Sequence, residues 1–244
     1  MMKIRKFYNM FLTNEKKKHS TWQGTFYKRK WNDQISVVYF EKLYGGKHLL
    51  KKINQLALQE SLVFNSSMVD ENNSEVWLSA GWKILEKLNV LSMNLKSIKK
   101  TEKNIENVEI FNNTKIPEVL KLDHNIFEPY WQNSSAAFKE TIESCVHNYL
   151  LIQKFNNDIA GYGILGITRN YGFLQRFGIV KDYQNRGLGK QLLENIVNFS
   201  KQKKLINVRL NTQTQNKHAQ SLYLNNGFVY AKTNYLILAT SNHK

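Results

Sequence analysis

Leu174 to Val180, the loop Gln184-Asn185-Arg186-Gly187-Leu188-Gly189-Lys190 and the apolar positions Leu188, Leu192, Ile196 and Phe199 read as strand, tight glycine loop and amphipathic helix. That order makes a place for an anion. The first N–H groups of a helix have no partner within it, and the helix dipole places partial positive charge beside them. A pyrophosphate fits there, held by main-chain donors. Glycine at 187 and 189 keeps β-carbons out of its approach, and Arg186 and Lys190 add cationic contacts. No Gly-Lys-Ser/Thr follows, so the loop is not a Walker loop, and no Gly-x-Gly-x-x-Gly marks a dinucleotide fold. Taken alone, the loop reads either as an anion site or as a tight turn leading into a capped helix.

A second run narrows the anion. Asn216-Lys217-His218-Ala219-Gln220-Ser221-Leu222-Tyr223-Leu224-Asn225-Asn226-Gly227-Phe228 follows the next strand. With both runs in hand, the chain resembles the GCN5-related N-acetyltransferase (GNAT) superfamily. The loop matches its Gln/Arg-x-x-Gly-x-Gly/Ala signature. The later run matches Asn-x-x-Ala-x-x-Leu-Tyr-x-x-x-Gly-Phe, in the family's order. The likeness covers residues 107–244 and looks most like the ribosomal-protein alanine N-acetyltransferase branch.

The resemblance implies acetyl-CoA as the acyl donor and a primary amine as acceptor: a small molecule, a protein N-terminus or a lysine. Backbone groups of Phe177, Gly178 and Ile179 would pair with the pantetheine arm and polarise the thioester carbonyl. Gln184, Asn185, Arg186, Gly187, Leu188, Gly189 and Lys190 would hold the pyrophosphate, and Asn216 would hydrogen-bond the pantetheine. The amine would attack directly, with backbone N–H groups near Ile179 stabilising the oxyanion. Tyr223 would donate a proton to the departing sulfur. Read from residues alone, Tyr223 is also an aromatic on the buried face of a short helix.

At the general base the resemblance breaks. The alanine acetyltransferases carry a glutamate in the strand before Asn216, and Asn211 stands here. An amide cannot take the amine proton. Glu128, Asp123 and His124 fall among the substrate-side loops and are candidates; Asp123 and His124 read equally as a surface helix pair, and proton loss through ordered water is the alternative. The departure puts a ribosomal-protein substrate in doubt. Phe127-Glu128-Pro129-Tyr130-Trp131 reads either as an aromatic wall for the acceptor or as a loop packing its rings inward.

The elements that must position these residues form an α/β pattern. Val108 to Phe111 reads as a strand. A helix follows with Asn113 or Thr114 as cap and Pro117 in its first turn; Ser134 to His147 is a second helix. Tyr149 to Phe155 and Ile159 to Thr168 are strands around the turn Asn156-Asn157-Asp158. After the glycine-loop helix (187–203), Ile206 to Asn211 is a strand, Asn216 to Asn225 a helix capped by Gly227, and Tyr235 to Ala239 the last strand. The expected fold is a mixed, largely antiparallel sheet flanked by helices, with one helical crossover.

Residues 1–98 read as a smaller α/β subdomain, 99–106 as a polar linker and 107–244 as the acetyltransferase domain. The stretch to residue 34 gives no clear element. Ile35 to Phe40 is strand-like, Tyr44-Gly45-Gly46 a turn, 47–60 a helix, Leu62 to Phe64 a short strand, Glu71 to Ser79 a brief helix and Leu85 to Leu95 a strand. Leu78-Ser79-Ala80-Gly81-Trp82 echoes Leu224-Asn225-Asn226-Gly227-Phe228. The first segment therefore reads as a degenerate half of the same fold, without a pyrophosphate loop.

Composition bounds the rest. One cysteine, Cys145, excludes an internal disulfide and a cysteine-based zinc site, so no metal is expected. No signal peptide or run of 18 apolar residues is seen, so a cytoplasmic location and no membrane partner are expected. The net charge of +16 comes from basic residues scattered along the chain, which favours a compositional bias over a nucleic-acid partner. Two other functions remain open: a coenzyme A-binding protein without catalysis, and a basic RNA- or ribosome-binding protein. A homodimer is compatible with the sequence.

Overall fold

The computed structural model of the chain describes residues 13–97 and 107–241, so the expected linker lies outside the described residues. The first half runs β1 (Lys17–Thr21), β2 (Gly24–Lys30), β3 (Val38–Gly45), α1 (Lys47–Gln59), β4 (Phe64–Ser66), β5 (Val69–Asp70), α2 (Glu75–Leu78) and β6 (Lys83–Asn94). The second runs β7 (Val108–Ile110), α3 (Ile116–Ile126), α4 (Ser135–Glu143), β8 (His147–Phe155), β9 (Asp158–Thr168), β10 (Tyr171–Ile179), α5 (Leu188–Gln202), β11 (Asn207–Gln213), α6 (Lys217–Asn225) and β12 (Val229–Ala239). The class is the expected one.

Two compact units emerge. One gathers the described residues up to Glu86 with those from Leu236 onward; the other spans Lys87–Tyr235. In the second unit the strand order is β6-β11-β10-β9-β8-β7. All neighbours there are antiparallel except β10 and β11. Parallel neighbours need a crossover, and α5 supplies it. Alternation along β8 sorts the core: Leu151 joins Leu192, Leu193 and Ile196 of α5, while Leu150 and Ile152 join Ile116, Val119 and Phe138 of α3 and α4. The central strand β9 is buried on both faces from Ala160 to Ile167, which explains its unbroken apolar run.

In the first unit β1, β2 and β3 are antiparallel, and β3 and β4 are parallel across α1. A helical crossover thus occurs in this unit too. Ala239 of β12 pairs with Asn65 of β4, and Leu236 and Leu238 bury beside Phe40, Trp77 and Trp82. Each unit therefore has the order three antiparallel strands, helix, parallel strand, helix. The β1–β2 hairpin is an element that the sequence reading missed. Other corrections are local. Asn112, not Asn113 or Thr114, caps the turn leading into α3 by accepting from the Thr114 N–H, and β12 starts at Val229 rather than Tyr235.

Candidate active site

The site begins where two parallel strands part. β10 and β11 pair only from Tyr171↔Asn207 to Phe173↔Arg209. Beyond that, β10 follows β9 to Ile179↔Gly161, past a register shift between Leu174 and Arg176, and β11 follows β6 to Gln213↔Leu88. The β11-facing backbone of Leu174–Ile179 is left without a strand partner. Gln184 ties the loop to the end of β10, its Nε2 donating to the Ile179 carbonyl at 2.9 Å.

From Val180 the chain reaches α5 by way of Asn185 and Gly187, both in the left-handed region at φ 60° and 78°. Gly187 is the N-cap; no side chain bonds the helix start, and no acidic residue occupies the first turn. A β-carbon on Gly187 would meet nothing within 4 Å. Unsatisfied N–H groups, open space and the exposed cations Arg186 and Lys190 together fit a diphosphate. The Lys190–Glu194 ion pair, at 3.8 Å and exposed, leaves that cation usable.

α6 brings the second motif alongside. Asn216 caps it, Oδ1 accepting from the Ala219 N–H at 3.1 Å. Gln220, buried, donates to the carbonyls of Gln213 and Thr214 at 2.8 and 2.9 Å and accepts from the Tyr230 hydroxyl. One turn on, Tyr223 packs between Phe177 of β10 and Phe228, with ring centroids at 6.0 and 5.8 Å. Its side chain is buried, and burial alone pushes its hydroxyl well above the ordinary value of 10.

The acidic candidates separate. Asp123 is no surface residue: it is fully buried, and both oxygens are engaged. Oδ1 accepts from the Tyr162 hydroxyl at 2.5 Å and Arg176 Nε at 2.7 Å. Oδ2 accepts from Arg176 Nη2 and the Asn133 N–H, both at 2.9 Å. A carboxylate so held has no lone pair placed for an amine proton. His124 Nε2 lies 3.1 Å from the Asn133 carbonyl, while Glu128 is exposed. Phe127 packs inward, with the Arg176 guanidinium 3.5 Å above its ring. Tyr130 and Trp131 stay half-buried, edge to face at 4.8 Å. The loop thus packs Phe127 inward and leaves Tyr130 and Trp131 at its surface.

Arg176 and Tyr162 were not singled out from the sequence. A signal existed: Ile116, Val119, Leu120, Asp123 and Phe127 recur at helical spacing, which puts an aspartate in an apolar stripe. A buried carboxylate requires a partner.

Residues 116–228 match the model of the acetyltransferase (GNAT) family. The match takes in the parted strands, the glycine loop and the helix of the second motif. The chain is similar to a Bacillus subtilis (strain 168) protein named as a candidate ribosomal protein bS18-alanine N-acetyltransferase, 27% identical over 108 residues, which are 44% of this chain and 70% of that protein. Solved structures share the fold. A GCN5-related N-acetyltransferase from Sphaerobacter thermophilus superposes with TM-score 0.57 at 12% identity, covering 100% of this chain and 85% of its own. A functionally unknown conserved protein from Staphylococcus epidermidis gives 0.58 at 18% identity, covering 96% and 97%. A tandem GNAT protein from the clavulanic acid biosynthesis pathway gives 0.60 at 12%, covering 91% and 79%. Among the described residues no helix is long and apolar enough to cross a membrane, and no cluster of metal-ligating side chains occurs.

The two buried tyrosines carry a pH signature. Burial is the leading cause that raises both Tyr162 and Tyr223. The folded chain then holds these protons where the unfolded chain releases them, so the tyrosines' contribution to stability is level below pH ~10 and falls as pH rises above it, by up to ~1.4 kcal/mol per pH unit for each tyrosine. Tyr223→Phe is expected to make the alkaline decline of the melting temperature shallower. An identical slope in the variant would show that Tyr223 ionises as freely in the folded chain as in the unfolded one.

Proposed function

We propose that this protein is an N-acetyltransferase that moves the acetyl group of acetyl-CoA to a primary amine by direct attack. The observation that carries the reading is the uncapped start of α5 set at the end of a strand that has parted from its parallel neighbour, with Tyr223 against that strand. The donor supplies an activated thioester when bound. Backbone N–H groups of α5 and the loop Gln184–Lys190 bind its diphosphate. Phe177, Gly178 and Ile179 offer the strand backbone that faces away from β9 to the pantetheine and the carbonyl oxygen, the Ile179 carbonyl being held by Gln184, and Asn216, whose Oδ1 is committed to the α6 cap, offers its Nδ2 to the same arm.

Tyr223 keeps its proton at neutral pH because burial disfavours the phenolate. An ordinary thiol titrates near ~8.5, so full transfer from this hydroxyl to the sulfur is uphill. The hydroxyl therefore acts as a hydrogen-bond donor to the negative charge growing on sulfur, in a site where water is excluded. Tyr223→Phe is expected to lower turnover by ~10²-fold with acetyl-CoA affinity little changed. Unaltered turnover would reduce Tyr223 to packing.

The test of the function is thiol release from acetyl-CoA across peptides with free N-termini, lysine peptides and amino sugars. A second reading, a coenzyme A-binding protein without catalysis, draws on Asn211 at the expected base position and on the engagement of both Asp123 oxygens. Binding with no turnover on any amine would favour it. Proton removal falls to Glu128 or to water in the acetyltransferase reading, and the chain works in the cytoplasm.

The N-terminal unit is, in the same proposal, a degenerate repeat. It follows the same element order, but Gly46 alone joins β3 to α1, where Val180 through Gly187 join β10 to α5. That one-residue connection has no counterpart of the loop Gln184–Gly187, so one donor site per chain is expected.

A further inference from the structure

We infer that Asp123, Arg176 and Tyr162 are positioning residues for the amine acceptor, holding the segment 127–133 against the strand that presents the thioester. This rests on the acetyltransferase reading. Arg176 lies on β10 itself, one residue from Phe177. Its guanidinium grips both Asp123 oxygens and, through Nη2, also donates to the Trp131 carbonyl at 2.6 Å. Tyr162, on the adjoining strand β9, donates to the same carboxylate. Three elements thus converge on one carboxylate at the C-terminal end of α3.

The segment beyond α3 is held from both ends. Its start is fixed by the Phe127 N–H donating to the Asp123 carbonyl at 3.0 Å, and its end by the Asn133 N–H on Asp123 Oδ2. Gln132 Nε2 closes it internally on the carbonyls of His124 and Phe127. This segment lies on the acyl strand: a β-carbon at Gly178 would fall 2.5 Å from Ile126 Cγ2 and 2.9 Å from Phe127 Cζ. Glycine at 178 is what permits the contact. A shift of the segment therefore alters both the aromatic edge formed by Tyr130 and Trp131 and the space beside Gly178, where an attacking nitrogen has to come. Small displacements at such a place change rate and apparent affinity steeply.

The ionic part of the network is buried, so removing one charge would strand the other. Two milder changes avoid that. Arg176→Lys keeps the cation and loses the fork that reaches two oxygens and a carbonyl at once. Tyr162→Phe removes one hydrogen bond and keeps the ring. Steady-state kinetics are measured for each with the amine that the wild-type protein acetylates fastest in the panel above. The expected result is an amine KM raised roughly 10-fold or more by Arg176→Lys and about fivefold by Tyr162→Phe, with the acetyl-CoA KM within about twofold of wild type in both. A loss of folded protein would instead scale kcat and leave both KM values unchanged. An active wild type with unchanged amine KM in the two variants overturns the positioning role alone, as does a parallel rise in the acetyl-CoA KM. A wild type that acetylates no amine overturns the acetyltransferase reading and this inference with it.

Discussion

Gly187→Glu is expected to fold and to lose acetyl-CoA. The glycine sits at φ 78° with nothing within 4 Å of where a β-carbon would go. A non-glycine residue in that conformation costs ~1–2 kcal/mol. Glutamate recovers part of it, because a carboxylate at a helix start interacts favourably with the dipole by ~0.3–1 kcal/mol. The fold therefore survives, with a melting temperature a few degrees from wild type at most. Binding does not. The added carboxylate occupies the open space at the α5 start, where each unit charge of a diphosphate ~4 Å away would meet ~4 kcal/mol of repulsion at an effective dielectric of ~20. That amounts to nearly three decades of affinity. Gly187→Ala, which adds the strain without the charge, is expected to weaken binding far less. Calorimetric titration of acetyl-CoA into the three proteins decides it, and wild-type affinity in the glutamate variant would end the pyrophosphate assignment.

That site was legible because its chemistry is local. A helix start needs only its own first turn and a preceding loop, and all of Gln184–Lys190 lies in one stretch of chain. Asn216 and Tyr223 were likewise readable from spacing within one short helix. The residues that escaped notice act across distance in sequence. Asp123 looks like a polar surface residue until Arg176 and Tyr162, from two strands later in the chain, are found on its oxygens. The first hairpin was hidden for a related reason. β1 turns His19 inward beside Phe26, and Arg29 of β2 is buried as well. His19 stacks on Phe26 at 5.3 Å, and Arg29 lies 4.2 Å above the Tyr39 ring. Polar residues at inward positions erase the alternation by which a strand is recognised. The turn between them, Trp22-Gln23, carries no Asn-Gly or Asp-Gly to mark a hairpin. β4 was placed two residues early because its three buried residues, Phe64, Asn65 and Ser66, do not form an apolar run.

The same separation in sequence governs how the chain can be cut. A fragment of residues 107–244, the acetyltransferase domain as its motifs delimit it, is expected not to fold. It lacks β6, which pairs with β11 from Asn94↔Asn207 to Leu88↔Gln213. Leu91, Met93 and Leu95 of that missing stretch are buried in the core that α5 closes. Each such side chain contributes ~1.5–3 kcal/mol of burial, so three remove an amount comparable with the ~5–15 kcal/mol that holds a whole domain. The fragment would also expose β11 as an unpaired edge next to apolar surface, a template for aggregation. At its other end, Leu236 and Leu238 would lose the partners they bury against, Phe40, Trp77 and Trp82. A fragment of residues 83–235 keeps β6 and sheds that apolar tail. It is expected to stay soluble and to show a cooperative thermal transition, while 107–244 precipitates or melts without one. Size-exclusion chromatography and far-ultraviolet circular dichroism on the two compare them directly, and a monomeric, cooperatively melting 107–244 would show that β11 does not need β6. The smallest folded unit that holds β10 and β11, on this argument, begins before the polar stretch that reads as its boundary, because β6, the strand that pairs with β11, is contributed from the other side of it.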